Sequence, residues 1–142
     1  MSMSGLDLLK RHLEWLEQDR LEVSEKLFTH DVVEKMAYED YMKQYVKTIS
    51  HQIRKHEMTL ENEDLPCVMI SSTVTVVDEE DGERMDFKIV SPRDEIVSGE
   101  QLIASYLSPI GKAMLMKSKD ERVEVNTPQG VFYYRIERIK LA

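Results

Sequence analysis

From Leu6 to Leu65 the chain contains neither glycine nor proline, and over that stretch its apolar residues recur at helical spacing. Leu6, Leu9, Leu13, Leu16, Val23 and Leu27 step by three and four, interrupted only where Arg20 takes an apolar slot. This is the pattern of a coiled-coil seam. Lys10, Arg11, Glu14, Glu17, Asp19, Glu22, Glu25 and Lys26 lie between these positions as a charged outer face. A second seam runs through Tyr38, Met42, Tyr45, Ile49, Ile53, His56 and Leu60. The stretch between the two (Thr29, His30, Asp31, Val32, Val33) is rich in β-branched residues that disfavour helix slightly, so the break between helices is expected there. Two helices of similar length joined by a short turn bury their stripes only against each other or against a partner, which predicts an antiparallel helical hairpin. At about 1.5 Å per residue, roughly 24 residues make an arm of about 36 Å.

After Leu65-Pro66 the period becomes two, at a natural boundary because proline pushes the preceding residue out of helical geometry. The expected domains are therefore 1–65, the arm, and 66–142, its base. Val68 to Val77 and Met85 to Val90 read as strands joined by an acidic turn, Asp78 to Glu83, that contains Asp81-Gly82. Glu121 to Thr127 and Val131 to Lys140 form a second expected hairpin around Pro128-Gln129-Gly130. In its last strand Phe132, Tyr134 and Ile136 share one face, with Arg138 next in that series. Ser108-Pro109 opens a short helix, Ile110 to Met116, with serine as N-cap and proline at the first helical position. Strands, one helix, then strands again make a small α+β domain.

Composition narrows the function. The net charge of −8 argues against a protein that binds nucleic acid through a broad basic surface. The single cysteine, Cys67, excludes an intramolecular disulfide framework and suits a reducing, cytoplasmic compartment, and a lone buried cysteine is a small hydrophobe before it is a nucleophile. No run approaches a membrane span, and charges interrupt the N-terminal leucines from Asp7 onward, which predicts neither a signal peptide nor an anchor. There is no glycine-rich phosphate loop, no Gly-x-Ser-x-Gly elbow and no His-Glu-x-x-His, so no self-contained active site and no tightly bound cofactor are expected. The four histidines, His12, His30, His51 and His56, all fall in the arm, read as surface or seam residues. What stands out is positional. Asp31 and Glu34 are three apart at the bend, where a hairpin presents its tip, and two carboxylates there suit a hard cation such as Mg²⁺ in another protein's active site. The structural alternative is that acids favour the first turn of a helix through its dipole. Glu39 and Asp40, further along, either extend the acidic tip or solvate the helix.

These residues resemble the Gre transcript-cleavage factors of bacterial RNA polymerase, which pair an N-terminal antiparallel coiled coil with a C-terminal FKBP-like antiparallel β domain carrying one short helix. Ser72-Thr73-Val74-Thr75-Val76 resembles the family's opening strand and Ile89-Val90 the end of the next. Ser108-Pro109-Ile110-Gly111-Lys112-Ala113-Met114-Leu115 resembles its Ser-Pro-Leu-Gly-x-Ala-Leu helix start, and Val123-Glu124-Val125, Thr127-Pro128-Gln129-Gly130 and Tyr134-Arg135-Ile136 complete the series. At the tip, His30 to Tyr38 aligns with the family's Gly-Asp-Leu-Ser-Glu-Asn-Ala-Glu-Tyr loop. It keeps the Asp, the Glu and the Tyr, and carries His30, Val33 and Lys35 in place of Gly, Ser and Asn.

The resemblance implies that Asp31 and Glu34 enter the polymerase secondary channel, hold the second catalytic Mg²⁺ and let the polymerase hydrolyse backtracked RNA at its 3′ end. The chain itself would then not be an enzyme. A monomer is expected, although the sequence does not decide oligomeric state. It also implies docking at the channel rim through Ser108, Pro109, Ile110 and Lys112, whose alternative role is capping and packing. The altered tip and a first arm several residues shorter than usual keep open a Gre-fold homologue that competes for the channel or modulates initiation without promoting cleavage. A prolyl isomerase or peptide-binding module is suggested only by the expected FKBP-like fold, and fold does not carry function.

Overall fold

The computed structural model describes residues 4–28, 30–56, 64–94 and 102–141. The chain divides into two compact units, Met1–Asn62 and Glu63–Ala142.

The first unit is a helical pair, α1 (Gly5–Leu27) and α2 (Val32–His56). Ser4 caps α1 by accepting the Asp7 N–H at 3.1 Å. The break falls in the β-branched stretch, as expected. Contacts between the helices run in opposite senses along them: Phe28 stacks on Tyr38 with ring centroids 5.2 Å apart, Arg20 meets Glu39, and His12 meets Tyr45. The pair is antiparallel.

The α2 stripe is the one the spacing predicts, with Tyr38, Met42, Tyr45, Ile49 and Ile53 all buried. Leu60 and the His56 side chain lie outside the described residues, as do Glu61 to Glu63 of the boundary segment. The α1 stripe differs. Leu9, Leu16 and Val23 are buried, but Leu6 and Leu27 are 59% and 52% exposed, and Leu13 is only half-buried. The seam is completed by Gly5, Leu8, His12 and Asp19. Two polar residues one heptad apart occupy seam positions, so a stripe traced through leucines is rotated off the true one. Arg20 stands beside the seam instead of in it.

Each polar intrusion is satisfied. His12 Nε2 and the Tyr45 hydroxyl share a hydrogen bond of 2.7 Å, and the imidazole also stacks on Trp15 at 5.7 Å. Burial pushes the His12 pKa down to about 4, against an opposing pull from Asp19. Arg20 donates to Glu39 at 2.7 Å and to Glu17 at 2.8 Å, and the Ser24 hydroxyl donates to Glu39 at 2.8 Å. Burial raises the Glu39 pKa, but the Ser24 and Arg20 hydrogen bonds outweigh it and hold the carboxyl below its ordinary value. Glu39 therefore ties the helices together and is not part of an acidic tip.

The second unit is a five-stranded sheet with β1 (Ser72–Asp78), β2 (Arg84–Val90), β3 (Leu102–Ser105), β4 (Arg122–Thr127) and β5 (Gly130–Leu141), in the order β3-β2-β1-β5-β4. A short helix, α3 (Pro109–Met114), lies between β3 and β4 in sequence. The class is α+β, as the alternation predicts. The sheet is mixed, because β3 pairs with β2 in parallel while every other pairing is antiparallel. Four residues are too few for a period of two to show, so β3 is defined by its partner strand.

The first strand begins at Ser72 and not Val68. Ser71 takes left-handed backbone (φ 78°), and Leu65 and Cys67 to Ile70 are buried ahead of it as an irregular segment. Val68 exchanges hydrogen bonds with Met116 and Lys117, and Leu65 N–H donates to the Ile139 carbonyl at 2.8 Å. Cys67 is buried, and desolvation pushes its thiol up to about 12, so it packs as a hydrophobe. Likewise α3 stops at Met114, and Met116 (φ 73°) turns the chain away. In β5, Tyr134 and Ile136 face inward as predicted. A bulge then intervenes: Thr75 pairs with Arg138 but Val76 with Ile136, so Glu137 is the extra residue. Arg138 is carried to the exposed face and Ile139 enters the core instead.

Two expectations follow. Folded His12 binds its proton only near pH 4, whereas the unfolded chain binds it near 6.5, so stability from this site is present above pH 6.5 and is lost as pH falls towards 4. Between pH 7 and pH 5 this site removes about 2 kcal/mol. Urea denaturation followed by helical circular dichroism should show that slope, and the double variant His12→Leu, Tyr45→Phe should lack it. In α3, a Cβ on Gly111 would overlap the Ser105 carbonyl oxygen and lie 2.7 Å from its carbon, both backbone atoms. Gly111→Ala should therefore lose about 1–3 kcal/mol in spite of alanine's better helix propensity. A gain in denaturation midpoint would refute the close approach.

Candidate functional site

The turn between α1 and α2 presents a fully exposed stretch, His30 to Ala37. Asp31 immediately precedes α2, and Glu34 lies in that helix's first turn. The Glu34 N–H donates to Asp31 Oδ1 at 3.0 Å, and the Lys35 N–H to the Asp31 carbonyl at 3.0 Å. Asp31 is thus the N-cap of α2, and Glu34 is the residue three further on whose amide it satisfies. The three-residue spacing read as a metal-delivering pair is at the same time the spacing of a helix cap. One Asp31 oxygen is committed to the backbone, which fixes the carboxylate's orientation. The other and the Glu34 carboxylate are set at the exposed end of the arm.

Among the described residues no group of three or more His, Cys, Asp or Glu side chains is arranged to hold a metal ion. Asp31 and Glu34 are hard oxygen donors of the type Mg²⁺ accepts, but two carboxylates make only part of a ligand set. They would fit such an ion only if its remaining ligands came from elsewhere.

Around this pair the structure places apolar residues that sequence reasoning did not single out. Val32, Val33 and Met36 are 72%, 77% and 61% exposed, with exposed Leu27 at the end of α1. The available signal was that Val32, Val33 and Met36 precede the second seam, which opens at Tyr38, so no partner helix was assigned to cover them.

The second locus is the start of α3. Ser108 is its N-cap: its Oγ accepts the Gly111 N–H at 3.2 Å and donates to the Ser105 carbonyl at 2.7 Å. Pro109 occupies the first turn and is exposed, Ile110 is half-buried and Lys112 is exposed. Ser108 is thus consumed by the turn that shapes this loop, and Pro109 and Lys112 are the side chains it shows to solvent. Asp31 and Glu34 belong to the first unit and these four residues to the second. The acidic turn expected at Asp78 to Glu83 is structural: Asp78 and Asp81 accept backbone amides at 2.8 Å, and Glu79 pairs with Arg122 and Arg135. No helix among the described residues is long and apolar enough to cross a membrane.

Comparison with known proteins places this architecture. Residues 63–141 match the family described as transcription elongation factor, GreA/GreB, C-terminal. The chain is 31% identical to the transcription elongation factor GreA of Clostridioides difficile, over 99% of its own length and 94% of the relative's. It is 29% identical to that of Dehalococcoides mccartyi, over 98% and 95%. Among solved structures, the Thermus aquaticus Gfh1 crystal structure superimposes at a TM-score of 0.48 with 22% identity, covering 96% of this chain and 91% of that one. The GreA/GreB factor from Nitrosomonas europaea gives 0.46 with 27% identity, covering 67% and 78%. On its sequence, the chain belongs to the GreA/GreB family of transcription elongation factors.

Proposed function

We propose that this chain binds bacterial RNA polymerase with its helical arm in the secondary channel and stimulates the polymerase to cleave backtracked RNA. The observation that carries this reading is the pair of exposed carboxylates, Asp31 and Glu34, at the turn of the hairpin in a member of this family. The first unit, Met1–Asn62, is the delivering arm, and the second, Glu63–Ala142, docks on the channel rim through Pro109, Ile110 and Lys112, on a loop that Ser108 holds in shape.

A Mg²⁺ ion shared with the polymerase active site supplies the charge stabilisation that phosphodiester hydrolysis needs. This chain's part is positional: the cap holds the Asp31 carboxylate in one orientation, and Glu34 stands beside it on the first turn of a rigid helix. The 3′ end of the nascent RNA would be engaged only indirectly. The chain is not itself an enzyme, acts as a monomer and works in the cytoplasm, where its polymerase is.

A second reading has an observation of its own. Exposed Val32, Val33 and Met36, with Lys35 among them, give the tip an apolar and partly cationic character. That suits a homologue that occupies the channel and competes for it, or modulates initiation, without promoting cleavage.

Transcript cleavage on backtracked complexes of the cognate polymerase separates the two. Wild type should stimulate cleavage, and Asp31→Ala with Glu34→Ala should abolish it. Asp31→Asn keeps a capping side chain and loses the charge, so it should leave helicity unchanged while lowering stimulation on the order of tenfold or more. Asp31→Ala alone should also remove about 1 kcal/mol from the arm. If wild type binds the polymerase without stimulating cleavage, the competing role holds. Lys112→Glu should weaken binding to the polymerase and leave the arm's stability untouched; unchanged binding would remove Lys112 from the docking loop.

A further inference from the structure

A groove of about 510 Å³ runs along the helical pair. Its floor is aliphatic, with half-buried Leu13 on α1 and Val46 on α2 lying over the buried Leu16 and Met42 of the seam. Arg20 on the α1 side pairs with Glu17 and with Glu39 of α2. Glu39, Lys43 and Lys47 stand four apart on the α2 side, and of these Lys43 and Lys47 are exposed and without an ion pair among the described residues.

Lys47 also borders a second depression of about 600 Å³, lined further by Ser50, His51, Arg54 and Lys55. From Tyr41 to His56 the helix has no acidic residue, although the chain's net charge is −8. Lys43, Lys47, His51 and Lys55 recur every four residues, which puts successive side chains about 6 Å apart along one side of α2. A helix lying in the groove repeats its own side chains at the same spacing.

We propose that this groove takes an amphipathic helix of a partner protein, apolar residues down on the aliphatic floor and acidic residues at four-residue spacing over Lys43 and Lys47. Two independent features define the occupant. The floor calls for aliphatic side chains at helical spacing, and Lys43 and Lys47, the two unpaired charges on the α2 side, call for carboxylates on that flank of the occupant. A nucleic-acid strand fits less well, because the floor offers no exposed aromatic face for bases and Glu17 stands on the rim. The proposal does not depend on the chemistry of the tip.

The test uses the full-length protein and a fluorescently labelled helical probe peptide of about 18 residues, with leucines at i, i+3, i+4 and i+7 and glutamates at four-residue spacing. Anisotropy titrations should show binding to this peptide and not to a scrambled peptide of the same composition. Lys43→Glu with Lys47→Glu, at exposed positions that leave helicity intact, should weaken binding about tenfold or more. A peptide with lysines in place of the glutamates should bind that variant better than it binds wild type. Val46→Ser should weaken binding without changing the charge.

Several results would overturn the proposal. One is equal binding of patterned and scrambled peptides, and another is affinity that ignores Lys43 and Lys47. A single-stranded oligonucleotide that binds tighter than the peptide through the same lysines, with a steep salt dependence, would make the surface a phosphate site. Self-association that disappears in the double lysine variant would make the occupant a second copy of this chain.

Discussion

Neither helix of the arm buries its apolar stripe alone, and most of a helix's stability in a protein comes from packing such a stripe. Pairing of α1 with α2 is therefore the constraint from which the rest of the first unit follows. It is achieved with an imperfect seam, in which His12 and Asp19 stand where a regular heptad would have aliphatic residues. The His12–Tyr45 hydrogen bond and the Arg20–Glu39–Ser24 network compensate, and both are directional. Aliphatic contacts tolerate a slide by a turn, but a buried imidazole that must meet one hydroxyl does not. These contacts fix the register of the pair, and with it the residues that fall in the turn. The exposure of Asp31 and Glu34 at the end of the arm thus depends on polar contacts placed well back along it.

The same economy of residues appears at the two loci themselves. Asp31 caps α2 and offers an oxygen to solvent, while Ser108 caps α3 and holds the loop that shows Pro109 and Lys112. In both, a residue attractive as a functional candidate is also a structural one. Removing it by alanine changes backbone and chemistry together. Only a substitution that keeps the cap and removes the charge separates the two roles.

Much of this was legible in the sequence because it depends on local signals. The helix break between Leu27 and Val32, the Ser108-Pro109 helix start and the Asp81-Gly82 turn each follow from residues adjacent in the chain. What could not be read depends on partners distant in sequence. The α1 stripe was rotated because His12 becomes a seam residue only when Tyr45 is opposite it. The bulge at Glu137 is set by pairing with β1, and it reverses the faces of Arg138 and Ile139. Strand β3 is set by β2, and Gly111 by the close approach of the Ser105 carbonyl. At the candidate site, the positions of Asp31 and Glu34 were readable. The hydrogen bond that makes them a cap, and the exposure of their apolar neighbours, required coordinates.

Electrostatics at the tip explains why a metal there would have to be shared. The first turn of α2 is the positive end of a helix dipole, and that field stabilises carboxylates while it disfavours a cation placed beside them. Lys35, next to Glu34 in the chain, adds a positive charge of the same sense. Asp31 has already given one oxygen to a backbone amide. A divalent ion held by these two carboxylates alone would exchange the hydration it gives up for a weak and partly opposed field. The balance would change only if carboxylates of a second molecule surrounded the same ion, so that their charges outweighed the helix terminus. The tip by itself is therefore a poor metal site, and what the rigidity of the helical pair fixes is where its two carboxylates stand.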